Sequence, residues 1–299
     1  MAAIEEVKLM EEDTIRTARL DGRRSRVAYT SAKAATYTVL VLIGGSMLIP
    51  LLWMLSTSLK EPGAVFSIPP QWLPHPAVWR NYIDAWNSQP FGRFYLNSIL
   101  VGAVVTIGQV FTSSMAAYAF ARLSFPGRDK LFFGYLATMM VPGSVTMIPQ
   151  FILVRKLNLV DTYTALILPG LFSAFGTFML RQFFMSLPKE LEEAAKIDGC
   201  SLFGIFWKII LPLSKPALAT LTIFTFMGSW NSFTWPLIVT NSTEMRTLPI
   251  GLQAFQGLYN TQWTLLMAAS LVALLPVILL FIFGQKYFVE GIQLGAIKG

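Results

Sequence analysis

The sequence predicts an all-α protein that crosses a membrane six times. Three observations carry that expectation. Of 299 residues, 54% are hydrophobic and only 13% charged, where a soluble domain carries about 25% charged residues. The apolar residues fall into six runs near the ~20 residues that a helix needs to cross a bilayer. None of these runs contains Asp, Glu, Lys, Arg or His. The basic residues, finally, are sorted unevenly between alternate loops.

In chain order, a charged arm (1–33) precedes the first run (34–58). The arm has no apolar segment of the kind a cleaved signal peptide needs, so the first run is expected to serve as an uncleaved anchor. An external loop follows (59–95), with Pro62, Pro69, Pro70, Pro74 and Pro76 beside Trp72, Trp79 and Trp86, and reads as a small surface cap with interfacial aromatics. The core (96–285) holds the runs 96–121, 131–154, 164–180, 216–240 and 264–285, with a polar loop at 186–213. A tail (286–299) ends the chain. Pro142, Pro149, Pro169, Pro236 and Pro276 lie in or near the ends of these runs, where neighbouring helices can satisfy the freed carbonyls. An even number of spans puts both termini on one side. Lys60, Arg80, Arg93, Arg155, Lys156 and Arg246 fall on the other side, which leaves 17 of the 23 Lys and Arg on the side of the termini. The excess of basic loops marks that side as cytoplasmic.

The sequence argues against several function classes. The net charge of +7 follows from this sorting and does not require nucleic acid. A lone cysteine, Cys200, gives no intrachain disulfide and no cysteine metal site. His75 lies between Pro74 and Pro76 and reads as a loop residue. Ion-coupled transporters carry ionisable groups inside their spans, and these spans have none. A phosphate-cradling loop needs a Gly-Lys pair, and the chain has no such pair. The acidic cluster Glu190, Glu192, Glu193 and Asp198 has no histidine beside it to complete a catalytic set. A passive channel, a structural membrane protein and a conduit driven by partner subunits remain.

The loop between the fourth and fifth runs is the most informative segment. Pro188 suits a first helical turn, the following acids favour its positive end, and Ala194 and Ala195 are strong helix formers that allow close approach. Gly199 can end the helix at positive φ. Ser201 can cap a second short helix with an apolar stripe of Leu202, Ile205, Phe206 and Ile209, which Pro212 would stop. The expected product is a helix–Gly–helix elbow on the cytoplasmic face, either a docking element or an interfacial linker.

Glu193-Ala194-Ala195, the spacing on to Gly199, and the closing Leu211-Pro212 resemble the "EAA" loop of ABC-importer permeases. Ala117-Tyr118-Ala119-Phe120-Ala121-Arg122 with Phe125-Pro126-Gly127, and the tail from Phe288 to Gly299, resemble the carbohydrate-uptake branch, typified by the smaller maltose-transporter permease. The resemblance covers nearly the whole chain except the arm. It implies the permease core of a type I ABC importer, with Glu193, Ala194, Ala195, Asp198, Gly199, Leu211 and Pro212 at the ATPase coupling site. It implies that Gly295, Ala296, Ile297, Lys298 and Gly299 reach between the ATPase subunits. It also implies a second, related permease chain as heterodimer partner, two ATP-binding cassette subunits and an extracytoplasmic solute-binding protein. ATP and Mg would sit on the ATPase subunits, with no cofactor on this chain and no catalysis by it. The substrate expected is a sugar or oligosaccharide moving through a multi-pass protein of the cell membrane by alternating access. A glycerol-phosphate ester, or an ion-coupled mechanism, is the alternative. In the maltose-type complex the larger partner makes most sugar contacts.

In the fifth run, Trp rings suit the C–H faces of a sugar, and Asn and Ser can bond its hydroxyls. Asn231, Thr234 and Trp235 would share one helix face at i, i+3 and i+4, with Trp230 beside them. Pro236 would free the Ser232 carbonyl. Interfacial anchoring and helix packing are the competing readings of the same residues.

Overall fold

The computed structural model describes Tyr29 and residues 33–257 and 260–296; the expected arm lies outside these apart from Tyr29 and Lys33. The helices are α1 (Lys33–Ser58), α2 (Arg80–Asn87), α3 (Phe91–Arg122), α4 (Arg128–Ala137), α5 (Gly143–Lys156), α6 (Tyr163–Ile167), α7 (Ala174–Ser186) and α8 (Glu190–Ile197). They continue with α9 (Leu202–Leu213), α10 (Lys215–Trp230), α11 (Thr234–Val239), α12 (Leu248–Gln253) and α13 (Trp263–Ala296). The described residues contain one isolated antiparallel bridge, Gln256 to Thr261, and no strand. The chain divides into two compact units, Met1–Ser56 and Thr57–Gly299. Almost all of α1 belongs to the first, and everything from α2 onward belongs to the second.

Four helices are long and apolar enough to cross a membrane: α1, α3, the run Tyr163–Ser186, and α13 over Trp263–Gln285. Two bent pairs bring the number to six when each pair counts as one span. The third run departs from the straight course expected, and the fifth ends early. The third run breaks at Val141–Pro142, where Pro142 supplies the extended residue before α5, and the two halves meet at 98°. The fifth follows α9 with a 79° bend, and α10 stops at Trp230, short of the expected residue 240. The fourth run also has a break, at Phe172–Ser173, where Ser173 recaps the chain by accepting the Gly176 N–H.

Within the second unit, three apolar clusters organise the packing. At the Phe91 end of α3, Phe91 and Phe94 pack with Trp230, Leu248, Phe255 and Ala269. At its Arg122 end, Ala117 and Tyr118 pack with Leu180, Phe184, Ala195, Ile205 and Leu221. Between them, Val101 and Val105 meet Val154, Ala165, Leu166 and Val239. Burying each large apolar side chain contributes about 1.5–3 kcal/mol. Gly176 lets α7 close on α3 and α10, because a Cβ there would meet Ser113 Oγ at 2.7 Å and Leu221 at 3.2 Å.

The loops at the Phe91 end are tied down by polar groups. Buried Asn97 donates to the Glu244 and Arg246 carbonyls (2.7 and 2.8 Å) and accepts from the Tyr163 hydroxyl at 2.7 Å. Asp161 has φ +63°. Its N–H donates to the Val239 carbonyl, and its carboxylate accepts the Asn241 and Ser242 N–H groups at 2.9 and 3.1 Å. Desolvation opposes ionisation, but the donors from Asn241 and Ser242 outweigh it and hold the carboxyl below its ordinary value. A depressed folded pKa adds stability above the unfolded pKa, which is lost as pH falls through the folded value. Asp161→Ala should therefore cost about 1–2 kcal/mol at neutral pH. The deficit should shrink on acidification, as followed by thermal unfolding of the detergent-purified protein.

Candidate functional site

The elbow forms as expected in outline. In α8 the acids Glu190, Glu192 and Glu193 occupy the first turn and Lys196 the last, each sign facing the complementary helix end. Asp198 is the C-cap, and Gly199 follows at φ +77°. The Cys200 N–H reaches the Ala195 carbonyl and the Gly199 N–H reaches the Lys196 carbonyl, which is the paired closure that a left-handed residue permits. Ser201 then accepts the Gly204 N–H and starts α9.

α9 differs from the expectation in two respects. Phe206–Ile210 is π-helical, and this wider turn shifts the buried stripe by one residue. Ile205, Phe206 and Ile210 are buried, while Ile209 is half-buried and Leu202 exposed. Pro212 lies within the last turn of α9, where it is exposed, and Leu211 before it is half-buried. The helix ends at Leu213.

Nothing lies within 4 Å of the position a Gly199 Cβ would take, so a side chain there meets backbone strain and no clash. Strain for a β-branched residue at this φ is about 1–2 kcal/mol. Gly199→Val should impair solute uptake more than Gly199→Asn, since Asn tolerates the left-handed region. Equal uptake by the two variants would show that transport does not need the left-handed turn at Gly199.

The two alanines of α8 face opposite ways. Ala194 is exposed together with Glu193, Asp198 and Gly199, and Ile197 stands 87% exposed. Ala195, expected on the docking face, is turned inward and packs in the cluster with Ala117, Leu180 and Phe184. The 3.6-residue period leaves room on each face for only one of two adjacent residues.

Beneath the elbow sits a clamp that sequence reasoning missed. Arg122, the last residue of α3, places Nε 2.9 Å from Glu192 Oε1, with the two side chains 3% and 8% exposed. This contact is a close ion pair without hydrogen-bond alignment. The guanidinium also donates to the Phe184 and Leu187 carbonyls at 2.5 and 2.7 Å. One side chain thus joins α3, the end of α7 and α8. Arg122 stood inside a motif of the sequence, but nothing there indicated its partner 70 positions on.

A second feature is a cavity of about 460 Å³ among α3, α5, α6, α7, α10 and α11. It opens beside the two chain breaks, at Phe172–Ser173 and at Asn231–Phe233. Gln109, Gln150, Thr225, Ser229, Ser232 and Trp235 are in its wall. Of the four residues expected on a solute path, only Trp235 lines it. Trp230 is buried in the core and donates to the Ala273 carbonyl. Asn231 caps α10 and donates back to the Met227 carbonyl; it and Thr234 are exposed. The expected i, i+3, i+4 face does not form, because the helix is interrupted between Trp230 and Thr234. Pro236 falls in the first turn of α11, where a missing N–H removes no helical bond. The glutamines Gln109 and Gln150, amide side chains within uncharged runs, were the legible signal for this cavity.

The described tail residues Gly295 and Ala296 end α13, and Ile297, Lys298 and Gly299 lie outside the described residues. No group of three or more His, Cys, Asp or Glu able to hold a metal occurs among the described residues.

Comparison with known proteins yields consistent matches. Residues 109–293 match the family described as binding-protein-dependent transport system inner membrane component. The chain is 44% identical over 209 residues to the arabinooligosaccharides transport system permease protein AraQ of Halalkalibacterium halodurans, covering 70% of this chain and 75% of that protein. It is 38% identical over 263 residues to the sn-glycerol-3-phosphate transport system permease protein UgpE of Yersinia pestis bv. Antiqua, covering 85% and 94%. Among solved structures, a bacterial ABC transporter involved in the import of the acidic polysaccharide alginate has a chain that superposes with a TM-score of 0.76. The two are 27% identical, with 85% of this chain and 95% of that one covered.

Proposed function

This chain belongs to the family of binding-protein-dependent transport system inner membrane components, and from that premise we propose that it couples a partner ATPase to alternating access for a sugar or oligosaccharide. The chain is a multi-pass ABC-transporter permease. In this reading it breaks no bonds itself; ATP and Mg are bound by two ATP-binding cassette subunits, and a second, related permease completes the pathway. A solute-binding protein delivers the substrate on the outer side, both termini are cytoplasmic, and residues 295–299 reach toward the nucleotide sites.

The observation that carries this reading is the elbow. Its outer face, with Glu193, Ala194, Asp198 and Gly199, is exposed and contoured by small residues, while its inner face is locked by the Arg122–Glu192 pair. A face free to dock on a body that is fixed to the spans suits force transmission better than an interfacial linker. Closure of the ATPase dimer on ATP would carry the elbow with it, and α3 and α7 would follow through Arg122. Ala195 then serves as internal packing behind the docking face.

Relatives are named for both neutral and anionic solutes: arabinooligosaccharides for one and sn-glycerol-3-phosphate for another. Sugar import is favoured for this chain by its higher identity to the arabinooligosaccharide permease. The test is solute uptake into right-side-out membrane vesicles that contain the whole complex and are loaded with ATP. Saccharide uptake that needs ATP and is blocked by vanadate is expected. Uptake driven by an ion gradient and indifferent to vanadate would overturn the reading.

A further inference from the structure

We propose that the cavity beside the two helix breaks is a binding subsite of this chain for one unit of an uncharged polyhydroxylated solute. The inference rests on the import reading above and adds to it a site on this subunit and the charge class of the ligand.

The breaks explain why a polar cavity exists at this place. Unwound backbone at membrane depth is tolerated where it lines a polar cavity or is buried in protein. At the first break the Leu171 carbonyl accepts the Thr112 hydroxyl. At the second, the chain turns through Asn231, Ser232 and Phe233 before α11 restarts. Facing discontinuous helices of this kind frame solute sites in other membrane carriers.

The wall carries unspent hydrogen-bonding capacity. Thr247 Oγ1 is buried, without a partner, on a residue 4% exposed that lines the cavity. A buried hydroxyl left so is costly, and native structures nearly always supply a partner. The side chains of Gln150, Ser229 and Ser232 also make no hydrogen bond to protein among the described residues. Gln109 donates to Thr225 at 2.8 Å, which leaves its own carbonyl oxygen as an acceptor. Together these groups can both donate and accept, as sugar hydroxyls do. Trp235 donates to the Ala165 carbonyl at 2.9 Å, which fixes its ring in the wall as an apolar plate for a C–H face. The rest of the wall is apolar, with Val101, Leu221 and Phe224 among its residues.

Charge decides the ligand class. Among the described residues, no Lys, Arg, His, Asp or Glu lines the cavity. A phosphate or carboxylate there would be desolvated without a counter-charge, which is far more costly than burying hydroxyls that find partners. The volume lies within the range of small-molecule pockets, about 300–1,000 Å³.

The test uses the complete transporter, with its binding protein, in proteoliposomes. Neutral oligosaccharides are compared with uronate oligosaccharides and glycerol phosphates, and solute imported is measured per ATP hydrolysed. Wild type should import the neutral class. Gln150→Leu, which conserves volume, and Trp235→Ala should each lower solute imported per ATP by about tenfold, with Trp235→Phe recovering most of it. Efficient import of the anionic class, or unchanged stoichiometry in both Gln150→Leu and Trp235→Ala, overturns the subsite. Import of neither class, with another solute carried instead, overturns the parent reading and the subsite with it.

Discussion

Arg122→Met should nearly abolish import, because it leaves Glu192 charged and buried together with two carbonyls that lose their donor. The pair is almost fully enclosed, and breaking a buried ion pair from one side costs about 3–5 kcal/mol. Marginal stabilities of about 5–15 kcal/mol make that a large fraction of the whole. The double variant Arg122→Met with Glu192→Met should be better folded than Arg122→Met alone, since it removes the stranded charge. It should still import poorly, because the Phe184 and Leu187 carbonyls remain without their guanidinium and the elbow is no longer pinned to α3. Thermal unfolding in detergent separates the two effects from uptake. If Arg122→Met unfolds and imports like wild type, the clamp has no role.

The second large effect distinguishes the two alanines of α8. Ala195→Trp places an indole into a packed cluster with Ala117, Leu180, Phe184 and Ile205. Overpacking of this kind costs about 1–3 kcal/mol or more, so the amount of chain in the membrane should fall. Ala194→Trp adds the same indole to an exposed position. That variant should reach wild-type levels in the membrane yet lose most of its ATPase on purification. Both outcomes are read from one blot of the membrane fraction and one of the affinity-purified complex. Similar behaviour of the two variants would contradict the inward and outward assignment.

Much of the fold was legible because its signals are local. Apolar runs of bilayer length gave the spans, and Gly199 with Ser201 gave the elbow turn through backbone chemistry alone. The same local logic erred where a partner far along the chain decided the outcome. Asn231 looked like one more residue of a long helix, yet α10 ends at Trp230 and only tertiary contacts to Ala165 and Ala273 set the directions of Trp235 and Trp230. Ala194 and Ala195 are alike in sequence, and the cluster under α8 tells them apart. Pro142 was read as a tolerated residue inside a span, whereas it marks a 98° bend. The cavity was only half visible: Trp235 was named from its chemistry, while Gln109 and Gln150 became significant once α3 and α5 had brought them to one wall.

The central claim is that the exposed face of α8 docks on an ATP-hydrolysing subunit and drives this permease. Its most direct test is site-specific cross-linking in native membranes from Ala194→Cys, in a background where Cys200→Ser removes the chain's only other thiol. The predicted adduct joins this chain to an ATP-binding cassette subunit, with a yield that changes between nucleotide-free and vanadate-trapped states. Membranes that import solute normally with this variant, but give no adduct with an ATPase from position 194 in any nucleotide state, would contradict the account.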